Sequence, residues 1–174
     1  MSEKTKLLLE TSRFRVVECL QEVGEGQPPL RRQVIEHPGS VVIIPILNGD
    51  RVCLIRNYRV AVKKTLIELP AGTIEPPDSP AFTARRELQE ETGYQAEKWQ
   101  EVLGFYLSPG ILHERMHLFV AERLTAGDAE RETGERIENL VVPWKQAVSM
   151  ALEGEIEDAK TLVGILLWDR LRNV

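Results

Sequence analysis

Three short runs open the chain, KLLLE, FRVVECLQEV and LRRQVIEH, each alternating apolar with polar residues and separated by Thr11-Ser12 and by GEGQPP. Alternation with period two gives a strand one apolar face, so residues 5–37 predict antiparallel strands. SVVIIPIL follows, almost continuously apolar, then Asn48-Gly49-Asp50 and RVCLIRNYRV. Asn-Gly between two such runs predicts a hairpin, because both residues tolerate the positive φ of a tight turn. The two strands should be central, the first buried on both faces. TLIELPAGTIE is a short apolar run that turns at Pro70-Ala71-Gly72, and PPDSP after it is a loop. Ser79 and Pro80 suit the N-cap and first turn of a helix over Pro80–Thr92, which Gly93 stops; Ala84, Leu88 and Ala81 are its predicted inward residues.

Beyond that helix, WQEVLGFYLS and MHLFVAERL predict strands joined by a loop over residues 109–115, and TAGDAERETGER, polar and without periodicity, predicts a solvated loop. IENLVVPW predicts a further strand. Pro143 then suits the first turn of a helix, WKQAVSMALEGE, and Asp158 the N-cap of a last one, AKTLVGILLWDRLR, both with apolar residues recurring at three and four. Strands and helices in this mixed order predict an α/β sandwich.

Composition adds bounds. A length of 174 residues with 43% apolar and 28% charged residues suits one domain, 1–174, with a sizeable core. A net charge of −5 gives no reason to expect nucleic acid as a partner, so an anionic substrate must be met by local arginine, lysine or metal. Cys19 and Cys53 form no Cys-x-x-Cys pair and predict buried thiols in a reducing compartment. MSEKTKLLLE has no apolar core of signal-peptide length, and no run approaches the roughly 18 apolar residues of a membrane span, which predicts a cytoplasmic protein without membrane contact.

One stretch is electrostatically odd. On the helix, Glu87, Glu90 and Glu91 stand three and four apart, on or near one face. Like charges at that spacing each cost about 0.2–0.5 kcal/mol. Ion pairs on a solvated face would be the bland explanation, and a divalent cation among the oxygens the functional one.

From Gly72 the spacing runs glycine, five residues, Asp78, seven residues, then Arg86-Glu87-Leu88-Gln89-Glu90-Glu91-Thr92-Gly93-Tyr94. This resembles the box of the Nudix hydrolases, G-x5-E-x7-R-E-U-x-E-E-x-G-U with U apolar, departing from it at Asp78 alone. The resemblance implies an α/β/α sandwich with a mixed sheet, here preceded by an N-terminal antiparallel strand region. It implies Mg2+, or Mn2+, held by Glu87, Glu90, Glu91 and the carbonyl of Ala71. A hard cation of this kind takes oxygen ligands and keeps positions for water and phosphate, which suits cleavage of a diphosphate. Arg86, at i,i+4 from Glu90, would hold that carboxylate in place. Aspartate at 78 keeps the charge with one methylene less reach, compatible with a supporting role in the loop.

Residues outside the box are similar to those of ADP-ribose pyrophosphatases: Arg56-Asn57-Tyr58-Arg59, Glu68-Leu69-Pro70-Ala71-Gly72, Ser108-Pro109-Gly110 followed by Glu114, and Asp158-Ala159-Lys160-Thr161-Leu162. That likeness implies a loop glutamate, Glu114, that deprotonates or orients the attacking water, with His113 as the rival base. It implies Arg59, Arg56, Arg31, Gly72 and Pro109 as substrate-binding residues, Arg31 on the adenosine side. Arg56 and Arg59, three apart on a strand, face opposite ways, so one of them reaches the cleft, and the resemblance favours Arg59. It further implies a homodimer paired through the N-terminal strands, and hydrolysis of ADP-ribose to AMP and ribose 5-phosphate. Another nucleoside diphosphate sugar, such as GDP-mannose or ADP-glucose, is the alternative substrate, and a non-catalytic ADP-ribose sensor the alternative class.

Overall fold

A computed structural model describes residues 5–48, 50–131 and 136–173. The N-terminal runs form β1 (Lys6–Glu10), β2 (Arg15–Gln21) and β3 (Leu30–Glu36), paired antiparallel in that order. The two-residue β9 (Leu112–His113) adds to the edge of β3 in parallel, Ile35 opposite Leu112 and Glu36 opposite His113. The loop after the box is thereby stitched to the N-terminal sheet.

The main sheet is built on β4 (Ser40–Leu47), whose residues from Ser40 to Pro45 are all buried. One side of β4 pairs in parallel with β10 (Arg115–Ala126), which pairs antiparallel with β8 (Tyr94–Tyr106). The other side pairs with β5 (Arg51–Arg59) only at Ile46 and Leu47, and further back with β7 (Ala71–Thr73). Where β4 and β5 diverge, β5 takes β6 (Lys64–Glu68) on that edge and β11 (Ile137–Pro143) on the other. The segment from Glu68 to Ala71 bridges the split, held where the Ile43 N–H donates to the Pro70 carbonyl (2.9 Å). The sheet is therefore mixed and open at one place.

Both faces of β4 are covered, as its unbroken apolar run requires. Val42 and Ile44 pack with Leu54, Leu69, Leu118, Trp144, Ala147 and Ile165, the core under α2 (Trp144–Leu152) and α3 (Ala159–Arg172). Val41 and Ile43 pack with Phe119 and with Ala84 and Leu88 of α1 (Pro80–Thr92) on the opposite face. This is the expected α/β/α sandwich.

Cap chemistry sets the helix limits. The Ser79 side chain accepts from the Phe82 N–H (3.2 Å), and Gly93, at φ 77°, donates to the Gln89 carbonyl (2.8 Å). Asp158 accepts from the Thr161 N–H (3.0 Å) at the start of α3. Pro143 stands at the N-cap of α2 rather than within its first turn.

Four expectations differ in detail. Ala81 is exposed while Thr83 is fully buried, because the period gives a helix its inward face but not where along the axis cover begins. In the turn after β4, Asp50 is left-handed (φ 56°) and Asn48 is not; Gly49 lies outside the described residues. Cys19 is only half-buried, whereas burial pushes the Cys53 thiol up to about 12. The polar stretch after β10 is exposed, yet Gly127 donates to the Gly93 carbonyl (2.8 Å) and Arg131 to the Glu91 carbonyl (3.2 Å), tying it to the end of α1; residues 132–135 lie outside the described residues. Among the described residues, no helix is long and apolar enough to cross a membrane.

Candidate active site

The opening between β4 and β5 leads into a cleft of about 460 Å³ whose wall includes Arg59, Ala71, Gly72, Thr73, Glu75, Glu87, Glu90 and Glu91. The helix supplies the glutamates and the split sheet supplies the backbone facing them.

Glu91 is nearly fully buried and accepts from the Ala71 N–H (2.9 Å), which locks α1 to the bridging segment from Glu68 to Ala71, the strap. Glu87 lies over Gly72: a Cβ there would stand 1.9 Å from the Glu87 carboxyl carbon and 2.0 Å from its Oε1. Only glycine leaves room for that carboxylate. Arg86 fixes the other two charges, its Nη1 donating to Glu90 Oε2 (2.7 Å) and its Nη2 lying 2.9 Å from Glu87 Oε1. Burial alone would push the Arg86 pKa down, but Glu87 and Glu90 outweigh it and raise it above its ordinary value.

The opposite wall carries Arg59. Its Nε and Nη2 donate to Glu68 Oε1 (2.8 Å) and Oε2 (2.6 Å), a two-pronged pair with a fully buried carboxylate. Lys160 donates to the same Oε2 (2.6 Å). Burial by itself would push the Glu68 pKa up; the Arg59 hydrogen bonds and the charges of Lys160 and Arg59 outweigh it and hold the group below the ordinary carboxylate range. Bonding to Glu68 in turn raises the Arg59 pKa.

Other expected residues lie elsewhere. Arg56 is not brought to the cleft; it lines a shallow hollow with Tyr58, Thr65, Arg136 and Glu138, since side chains three apart on β5 point to opposite faces. Arg31 stands exposed on β3, paired with Glu18 (2.7 Å), and does not line the cleft of its own chain. Pro109 lines a separate hollow with Tyr106, Ile111 and His113. Glu114 is half-buried and takes a hydrogen bond from the Ser40 hydroxyl (2.6 Å), with His37 Nδ1 at 3.6 Å. It does not line the cleft, but Ser40 is the strand partner of Thr73, which does. His113 tilts against Tyr106, ring centres 6.2 Å apart. Asp78 donates its N–H to the Glu75 carbonyl (2.8 Å) and is also outside the lining, where Glu75 stands instead.

Sequence reasoning missed Ser12 and Arg13. They enter the cleft wall from the turn between β1 and β2, where the Thr11 hydroxyl accepts from the Arg13 (3.2 Å) and Phe14 (3.0 Å) N–H groups. Thr-Ser between two strand runs signalled the turn; nothing signalled where it would point. The adjoining hollow shares Ser12, Arg13 and Pro38 with the cleft and runs on past His37 to His113, which also borders the hollow at Pro109. Shared wall residues thus link the cleft to two neighbouring hollows.

Three helix carboxylates, the backbone of Ala71 and Gly72 and an anchored arginine line one cleft, a donor set suited to a metal-neutralised anion. The sequence matches the NUDIX domain family over residues 36–163, and the chain belongs to that family as a Nudix hydrolase. It is 35% identical over 137 residues to an ADP-ribose pyrophosphatase of Bacillus subtilis (strain 168), covering 78% of this chain and 74% of that one. It is 37% identical over 150 residues to a GDP-mannose pyrophosphatase of Cronobacter sakazakii (strain ATCC BAA-894), covering 80% and 78%. In fold it is similar to a crystal structure of an ADP compounds hydrolase, with TM-score 0.81, 22% identity, and 97% and 91% of the two chains covered.

The donor set fits a divalent ion of the kind this family uses. Its side-chain donors are carboxylate oxygens, and Gly72 keeps a space that Glu87 fills. Among the described residues no three acidic, cysteine or histidine side chains already converge as a cage. A hard ion bound through one or two carboxylates, water and substrate phosphate needs no such cage.

Proposed function

We propose that the protein hydrolyses the diphosphate bond of ADP-ribose, adding water to release AMP and ribose 5-phosphate, with Mg2+ as its ion and Mn2+ able to replace it. The observation that carries this reading is the single cleft shared by Glu87, Glu90, Glu91, Gly72 and Arg59. The similarity to an ADP-ribose pyrophosphatase supports the choice of substrate.

In this reading the metal would take its protein ligands from among Glu87, Glu90, Glu91 and the Ala71 carbonyl, Glu87 and Glu91 foremost, with water and phosphate completing its shell. When bound, the ion neutralises diphosphate charge and lowers the pKa of water. Arg86 keeps Glu87 and Glu90 from rotating away, and Arg59 presents guanidinium donors to the phosphate oxygens. Glu114 orients the attacking water and takes its proton, its carboxylate steadied by Ser40. Pro109 and the hollows next to the cleft take the part of the substrate beyond the diphosphate.

The protein acts as a homodimer in this account. Leu7, Leu8, Leu9, Leu20 and Leu30 are all exposed on the N-terminal strands, an apolar surface that a second copy would cover. Arg31, on the same sheet, would then serve a partner's cleft. The account places the enzyme in the cytoplasm, consistent with two unpaired thiols. The similarity to GDP-mannose pyrophosphatases favours a second reading, in which the same site takes that sugar nucleotide.

A panel of ADP-ribose, GDP-mannose and ADP-glucose with Mg2+ decides between them by kcat/KM. ADP-ribose should rank first with AMP as product. A higher value for GDP-mannose selects the second reading, and tight ADP-ribose binding without AMP release at any metal concentration would show a sensor instead.

A further inference from the structure

Two stretches that the box does not explain, Glu68-Leu69-Pro70 and Asp158-Ala159-Lys160-Thr161, stand about 90 residues apart in the chain and meet behind the cleft. Helix α3 brings its first turn against the strap. The Thr161 hydroxyl accepts from the Leu69 N–H (2.8 Å) and donates to Asp158 Oδ2 (2.6 Å), and Lys160 bridges Glu68 Oε2 (2.6 Å) and Asp158 Oδ2 (3.0 Å). Glu68 is 0% and Lys160 8% exposed, so both charges are out of solvent and only Arg59 at the end of the chain of contacts reaches the cleft.

We infer that Glu68 and Lys160 are positioning residues for substrate: they aim the Arg59 guanidinium and keep its positive charge available to the diphosphate. Geometry gives the aim. An arginine has five N–H donors in a rigid plane, and Glu68 takes one on Nε and one on Nη2, which leaves one on Nη2 and one on Nη1 along the end edge and the second Nη1 N–H on the remaining side. A guanidinium held by one edge presents the other in a fixed direction. Charge gives the second half. Arg59 with Glu68 alone would be neutral; Lys160 draws on the same Glu68 oxygen, so that carboxylate offsets less of the guanidinium's charge at the cleft, and Asp158, on the far side of Lys160, brings the four groups to zero away from it.

The inference rests on the reading that Arg59 binds the diphosphate, and a double-mutant cycle separates the two. Steady-state kinetics are measured on the diphosphate substrate the wild-type protein turns over best, for Arg59→Ala, Glu68→Gln, Lys160→Met, Lys160→Arg and the combinations with Arg59→Ala. Glu68→Gln and Lys160→Met should each raise KM about tenfold or more, the size of a lost hydrogen bond to a charged group, with kcat within about threefold. Lys160→Arg, which keeps the charge, should restore much of the loss. In the Arg59→Ala background neither Glu68→Gln nor Lys160→Met should raise KM further.

Full, undiminished KM effects in that background would overturn the inference, because the residues would then act through the fold and not through Arg59. Unchanged KM in Glu68→Gln and Lys160→Met, with a raised KM in Arg59→Ala, would overturn the inference alone. An unchanged KM in Arg59→Ala would remove the reading and the inference together. Should Glu68→Gln, which leaves Lys160 with Asp158 alone as its counter-charge, fail to fold, Glu68→Gln/Lys160→Met removes the Glu68 and Lys160 charges together and takes its place in the cycle.

Discussion

Gly72→Ala isolates the relation between backbone and metal-facing carboxylate with the smallest change available. Gly72 is not in the left-handed region, so alanine can adopt its backbone, and the three atoms nearest the added methyl all belong to the flexible Glu87 side chain. The fold should survive, with stability altered by less than about 1 kcal/mol. The carboxylate should not survive in place. A methyl carbon would lie 1.9 Å from Glu87 Cδ, whereas unbonded carbon atoms rest about 3.5–4.0 Å apart, so the group must retreat by roughly 1.5–2 Å. Misplacement of about 1 Å near the reacting atoms can cost about 100-fold, so kcat/KM should fall by about that factor or more. The assay is AMP release against Mg2+ concentration, with thermal melting and near-ultraviolet circular dichroism to show that the fold is kept. Turnover within about threefold of wild type at all metal concentrations would refute the claim that Glu87 over Gly72 is part of the working site.

Other outcomes follow from the same contacts. Glu91→Gln keeps an acceptor for the Ala71 N–H but loses the charge, so the fold should hold while kcat falls about 100-fold or more; near-wild-type turnover would remove Glu91 from the metal shell. Because the Glu68 pKa is lowered on folding, the unfolded chain binds the extra proton in acid: its contribution is complete above the unfolded value of about 4.3 and is lost as pH falls through the folded one. Urea midpoints at pH 7 and pH 3.5 should therefore differ less in Glu68→Gln/Lys160→Met than in wild type, and an equal drop would count against it. Cys53, buried and pushed up to about 12, should resist a thiol reagent at pH 8 until the protein is unfolded, whereas rapid labelling of Cys53 in the native state would contradict its burial.

What could be read from sequence was local or periodic. Ser79, Pro80 and Gly93 bound α1 at the expected residues because caps act on their own turn, and β4 reads as buried on both faces because it has no polar face to expose. The box glutamates and Gly72 come together for the same reason: a helix and the strand before it, joined by a short loop. What sequence did not show depends on chain segments far apart. Glu68 meets Lys160 where α3 crosses behind the strap, and Arg13 joins the cleft wall from an N-terminal sheet that is fastened to the Glu114 loop through β9. Alternation along β5 separated Arg56 from Arg59, but the direction of each required the sheet to split between β4 and β5. Ala81 shows the limit of periodicity, which gives a direction around a helix and no information about what lies at that end of it.

The central claim is that the carboxylates of α1 hold a divalent ion against a diphosphate that Arg59 binds from the other wall. A crystal structure with Mn2+ and the non-hydrolysable α,β-methylene analogue of ADP-ribose, with the ion located by its anomalous signal, tests it most directly. The account predicts manganese between Glu87, Glu91 and the Ala71 carbonyl, with analogue phosphate oxygens on the ion and on Arg59. Manganese or diphosphate bound outside this cleft, with the three glutamates in contact with neither, would contradict it.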